Sequence, residues 1–158
     1  MRLAMGSRQW AMGGGVVAGD RISSYRDLAA WQRAFELGRL VYEVTADFPA
    51  SERFGLTSQM RRGGVSIASN IAEGYGRGRP GDYLKFLRIS RGALFELETQ
   101  VLFAKDLGYL LETDQEALQQ AIDATAKPLS GLIRSLEDRE EREEAEKQLV
   151  RAQLMALQ

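Results

Sequence analysis

The clearest chemical patterning in the chain lies between positions 59 and 77. Gln59, Arg62, Ser66, Asn70, Glu73 and Arg77 recur at steps of three and four, which draws a continuous polar line along one side of a helix. It runs beside an apolar line of Leu56, Met60, Ile67 and Ile71, so partial burial is expected, and buried polar groups need partners. Two readings fit this seam: a hydrogen-bond ladder that fixes helix register or subunit contacts, or a groove for a ligand or nucleic acid. Catalysis fits it poorly. Glu73 has Arg77 four residues on, the spacing of a paired and ionised carboxylate, with no second acid, base or metal ligand beside it. The 158 residues include no Cys and no His, which removes thiol and Ser-His nucleophiles, disulfides, the usual zinc sites and Glu-x-x-His di-iron sites. Nothing in these residues calls for a metal or a cofactor, and a protein that is not an enzyme is expected.

A second pattern is basic. Arg77, Arg79, Lys85, Arg88 and Arg91 face one acid, Asp82, between residues 77 and 91, a local charge of +4, and Arg61 and Arg62 extend the cluster. Lys85, Arg88 and Arg91 spread over about 120° of a helix. Such a surface holds phosphates without sequence preference; the plainer alternative is a solvated face paired with neighbouring acids. The formal net charge of −1, from 21 basic and 22 acidic side chains, hides an uneven distribution. Residues 1–23 carry +2, residues 24–111 carry 12 basic against 10 acidic groups, and residues 112–158 carry 6 against 11. A neutral total argues against a protein that coats nucleic acid, but the body before the acidic tail leaves that role open.

The elements that must position these groups read as helices. Residues 1–23, with Gly13-Gly14-Gly15 and no helical period, read as a disordered segment outside the fold. Ser24 and Asp27 have capping-box spacing and open a first helix. Its stripe is Leu28, Trp31, Phe35, Gly38, Tyr42 and Thr45, with Leu37, Val41, Val44 and Phe48 on a second line. That face is wider than the ~100° one core needs, which makes Leu37, Val41 and Val44 candidates for an oligomer interface. Pro49 ends the helix. A second helix starts between Ser51 and Thr57 and reaches Tyr75; its Gly63-Gly64 pair, at a cost of roughly 1–2 kcal/mol in a helix interior, points to a close helix approach or a kink.

After a glycine-rich turn, Pro80 opens a third helix. Tyr83, Phe86, Leu87, Ser90, Leu94, Leu97, Val101 and Ala104 form its inward stripe, and Gly108 stops it. Leu84, Phe95 and Leu102 make a second apolar line about 110° away, again candidates for an oligomer interface. Thr113 and Glu116 repeat the capping-box spacing at a fourth helix, in which Pro128 should introduce a kink. Residues 137–158 read as a charged helical extension, solvated and fraying, with Leu149, Val150, Leu154 and Leu157 available to a neighbour. Residues 24–136 therefore form an all-α, antiparallel up-and-down four-helix bundle, the up-and-down order following from short connections. No stretch approaches a membrane span or a signal h-region, so no membrane role and a cytoplasmic location are expected.

Several runs carry a resemblance: Asp27-Leu28-Ala-Ala-Trp31, Phe48-Pro49-Ala-Ser-Glu52-Arg53-Phe54-Gly55-Leu56, Gln59-Met-Arg61-Arg62, Ser66-Ile67-Ala-Ser-Asn70-Ile71-Ala72-Glu73-Gly74, Phe86-Leu87, Glu96-Leu97-Glu98 and Leu107-Gly108-Tyr109. In this order the chain resembles the four-helix bundle family of intervening sequences in bacterial 23S ribosomal RNA genes. That family includes accessory variability determinants of diversity-generating retroelements. The resemblance implies a ring-like homopentamer and brings no catalytic residues. Its retroelement members bind a reverse transcriptase and nucleic acid through a strongly basic surface, whereas this body is only mildly basic and its tail is acidic. Two functions are compatible with these residues. One is an oligomeric accessory protein that binds RNA or DNA, with a reverse transcriptase as a further partner. The other is an oligomeric protein–protein scaffold whose acidic tail recruits a partner.

Overall fold

The computed structural model describes residues 21–158, so the expected disorder of segment 1–23 lies, but for its last three residues, outside the described residues. Four helices carry the fold: α1 (Ala29–Thr45), α2 (Leu56–Gly76), α3 (Pro80–Asp106) and α4 (Glu112–Ala156), with no strand among the described residues. Each of α1 and α3 packs against both α2 and α4, so the four surround one core.

The capping box at Ser24 forms, but it closes a 3-10 turn over Tyr25–Asp27 rather than opening α1. Asp27 accepts hydrogen bonds from the backbone N–H groups of Ser23 and Ser24, both at 3.0 Å, and from the Ser23 hydroxyl at 2.9 Å. Those three donors hold its carboxyl below the ordinary aspartate value. Leu28 is then extended, and α1 begins one residue later.

Packing corrects the reading of the apolar faces. Leu37, Val41, Val44 and Leu84 lie inside the chain's own core, at most 7% exposed, and cannot form an oligomer interface. On α1 it is Phe35 and Tyr42 that reach the surface, while Ala30 and Ala34 continue the buried line. The sequence reading placed the stripe one position too far round because it weighted the large aromatics over the alanines. Phe95 and Leu102 do stand outside, more than half exposed.

Two glycine contacts set the spacing of α2. Gly64 meets Gly38 of α1 backbone to backbone; a methyl on Gly38 would come within 3.1 Å of the Gly64 carbonyl oxygen. The Gly63-Gly64 pair is thus a close approach, with Gly64 as its contact. On the other side, Gly74 lies under α3, where a methyl would stand 2.8 Å from Phe86 Cβ and 3.1 Å from the Tyr83 carbonyl oxygen. Ser90 donates to the Ile67 carbonyl at 2.8 Å between these helices, and both atoms are buried. Burial together with the nearby Tyr75 pushes the Tyr83 phenol up to about 12; its hydroxyl is buried with no partner among the described residues.

The bounds of α2 agree with expectation, whereas the start of α4 departs from it. Glu52 accepts from the Leu56 N–H at 2.8 Å, so the cap of α2 comes from a carboxylate four residues upstream, which Tyr109 also reaches at 3.3 Å. The Thr113–Glu116 capping box does not form; α4 starts at Glu112 after an extended Leu111, with no side-chain cap. The helix runs through Pro128 to Ala156 without a break. Burial stops near Ile133 and Leu136, and residues 138–158 are exposed. The extension is thus helical to its end, with an Arg139–Glu143 pair at 2.9 Å along it.

Gly74→Ala is expected to destabilise the chain by about 1–3 kcal/mol through overpacking against Phe86. Gly131→Ala, where no neighbour lies within 4 Å, should stabilise it by about 0.5–1 kcal/mol. Urea unfolding of the two variants checks both signs. Because Asp27's folded pKa is depressed, the protection it gives Tyr25–Leu28 is present above the ordinary aspartate range. It is lost as pH falls through the lower folded value. Amide exchange across that turn should show this acid-side loss, and Asp27→Asn should remove the pH dependence.

Candidate functional site

The polar seam of α2 is less buried than its position beside the core implied. Only Ser66 and Asn70 are half-buried; Gln59, Arg62, Glu73 and Arg77 are exposed. Asn70 donates to the Ser66 carbonyl at 2.8 Å and to its hydroxyl at 2.9 Å, one rung of a ladder within the helix. Glu73 and Arg77 form the expected ion pair at 2.8 Å. Toward its start the seam opens into a cleft that Gln59, Arg62 and Ser66 line together.

The basic cluster divides into engaged and free cations. Arg61 turns toward α1, donating to Thr45 Oγ1 at 2.9 Å with its guanidinium 4.8 Å from the centre of the Tyr42 ring. This separates it from Arg62. Arg77 is held by Glu73 and lies 5.1 Å from the Phe86 ring centre. Arg88 pairs with Glu137 of α4 at 2.8 Å, so the acidic part of α4 lies against this side of α3. Arg62, Arg79, Lys85 and Arg91 have no ion-pair partner among the described residues. Exposed pairs such as Arg88–Glu137 are screened by salt and weakly held.

Two concavities flank α2. Between α1 and α2 runs an apolar groove of about 560 Å³, lined by Trp31, Phe35, Tyr42, Val65 and Ala68. Trp31 stacks on Phe35 at 5.2 Å and meets Tyr25 edge-on at 5.3 Å. Between α2 and α3 lies a polar cleft of about 500 Å³, with Ser58, Gln59 and Arg62 on one wall, Glu96 and Gln100 on the other, and Phe54 at its edge. Gln100 is only 8% exposed, and its Oε1 has no donor among the described residues. The sequence reading passed over Phe54, Glu96 and Gln100 as site residues. Gln100 had left a signal, a polar residue three after Leu97 and four before Ala104, in the inward register of α3.

No group of three or more His, Cys, Asp or Glu that could hold a metal occurs among the described residues. No helix among them is long and apolar enough to cross a membrane.

Comparison with known proteins places this geometry. A solved structure from Bacteroides thetaiotaomicron, a protein of unknown function from the S23 ribosomal protein family, matches with a TM-score of 0.61 and 21% identity. The match covers 66% of this chain and 95% of that one, and at this identity it speaks for the fold alone. No curated protein sequence matches. The family model of the 23S rRNA-intervening sequence protein matches residues 26–131, from the capped turn before α1 into α4 beyond Pro128. The chain belongs to the 23S rRNA-intervening sequence protein family.

Proposed function

We propose that this protein is a non-enzymatic, cytoplasmic accessory protein that assembles into a ring-like homo-oligomer and binds RNA or DNA through the basic surface of α3. In this reading the helices alternate up and down in an antiparallel bundle, the ring is a pentamer, and a reverse transcriptase is a further partner. The observation that carries the binding role is the set of free cations, Arg79, Lys85 and Arg91, left without carboxylate partners at the start of α3. A ring repeats that set around an axis, so modest charge per chain becomes multivalent. Assembly is supported by Phe95, Leu102 and Phe103, more than half exposed on α3 and available to a neighbouring chain.

A scaffold role has its own support in the exposed α4 extension, whose acidic part is followed by exposed Leu149, Val150 and Leu154. Here the tail recruits a partner protein and nucleic acid plays no part.

Retention of a structured RNA or DNA duplex should weaken as salt rises. Replacing Arg79, Lys85 and Arg91 by Glu should abolish retention, or flatten the slope of log affinity against log salt by roughly 2–3. Arg88 is spared because its loss would also free Glu137. Absence of binding at low salt, or binding indifferent to the three changes, would exclude the surface. Native mass spectrometry should give a pentamer mass, and Phe95→Glu with Leu102→Glu should return the monomer. Protein partners that persist on a chain truncated after Glu137 would count against the tail.

A further inference from the structure

We propose that the cleft between α2 and α3 is a nucleotide site, taking a nucleobase with an N–H donor edge against α3 and its phosphate against Arg62. The inference is independent of the basic surface on α3 and concerns different residues.

The cleft is built asymmetrically. On the α3 wall stand two acceptors one turn apart, Glu96 and Gln100, and neither has a hydrogen-bond or ion-pair partner among the described residues. Gln100 is more than nine-tenths buried, at a position where an apolar residue would complete the stripe of Leu97, Val101 and Ala104. A buried amide oxygen without a donor carries its desolvation penalty uncompensated. The terminal torsion of glutamine is soft, so the amide can turn to a donor that enters the cleft. Opposite it stands Gly63, where even a methyl would come to 3.6 Å of that oxygen, so no side chain of α2 fills the space.

The α2 wall offers the complementary chemistry. Ser58 and Gln59 are hydrogen-bonding groups, and Arg62 is a cation that lines the same cleft as Glu96 yet forms no ion pair with it. At the edge, Phe54 is 88% exposed, an aromatic ring beside a polar cleft with the Arg53 guanidinium 5.3 Å from its centre. The volume of about 500 Å³ is in the range of small-molecule sites.

A ligand that satisfies all of these needs a planar ring for Phe54, N–H donors for Glu96 and Gln100, and an anionic group for Arg62. A bare phosphate leaves both acceptors unmet and meets the Glu96 charge. A nucleotide supplies each part, since any base stacks on an aromatic ring. Guanine presents two adjacent N–H donors on one edge and fits best, whereas uracil presents only one. The ligand is either a free mononucleotide or an unstacked nucleotide within single-stranded RNA.

The full chain is titrated with GMP, AMP, CMP, UMP and inorganic phosphate, and separately with G-rich and U-rich single-stranded RNA, by calorimetry and by amide chemical shifts. GMP should bind at least tenfold more tightly than UMP, and phosphate should not displace it. Glu96→Gln should weaken GMP at least tenfold, and Gly63→Leu should block the cleft. Gln100→Leu should raise the unfolding midpoint while losing GMP, a pairing that a purely structural glutamine would not give. Circular dichroism confirms that each variant is folded. RNA binding without mononucleotide binding upholds the proposal if it falls with Glu96→Gln and Gly63→Leu, and identifies the RNA as the source. No shift of cleft resonances with any nucleotide or RNA at millimolar concentration overturns it, as does binding unchanged by those two substitutions. RNA retention that survives both but fails with the Arg79, Lys85 and Arg91 changes overturns the cleft alone. GMP binding by a chain that retains no duplex upholds the cleft and excludes the basic surface.

Discussion

The fold depends on two helix backbones touching at Gly38 and Gly64, with no side chain between them. The space there is already taken, since a methyl on Gly64 would come to 3.3 Å of Gly38 Cα and 3.5 Å of Val41. Gly74 and the Ser90–Ile67 hydrogen bond then lock the opposite flank onto α3. With α2 gripped from both sides, the directions of its side chains are imposed. Arg61 is sent toward α1 and Arg62 toward α3, although they are adjacent in sequence. The empty positions on α2 thus decide where its charged ones go.

Electrostatics follow from this arrangement rather than from composition. The five cations between Arg77 and Arg91 look uniform as a string, yet the fold spends two of them internally. Arg77 is bound along its own helix and Arg88 across to α4. What reaches solvent unpaired is a smaller and differently shaped set. The acidic stretch of α4 is likewise no detached tail at its start, since Glu137 is already a structural neighbour of α3.

Much of this was legible in the residues. The helical periods gave four helices, Pro49 and Pro80 marked boundaries of the right kind, and the glycine pair in α2 announced a close contact. The errors have common physical causes. Trp31, Phe35 and Tyr42 dominate a hydrophobic count, but α1 turns alanines to the core at Ala30 and Ala34 because a tight helix contact needs small residues. The Thr113–Glu116 spacing looked like a cap, but Leu111 ends the preceding extended segment and α4 begins at Glu112, ahead of the threonine. The cleft residues were hidden for another reason. Glu96, Gln100 and Phe54 come from separate stretches, and only the packing of α2 on α3 brings them to one place. A polar residue in an inward register was visible at Gln100, yet its empty surroundings were not.

The continuity of α4 has a geometric consequence. Its register passes unbroken from the buried Ile133 to the exposed Leu154, and each residue along the way advances the helix by about 100°. The far stripe of Leu149, Val150 and Leu154 therefore points in a direction dictated by the core, as the hand of a clock is dictated by its gears. One residue inserted between them would swing that stripe by more than a quarter turn while changing no contact in the body. Seven would bring it back within about 20° and lengthen the arm by about 10 Å. The body and the arm are thus coupled by phase, and the length of the charged run between them is a structural parameter in its own right.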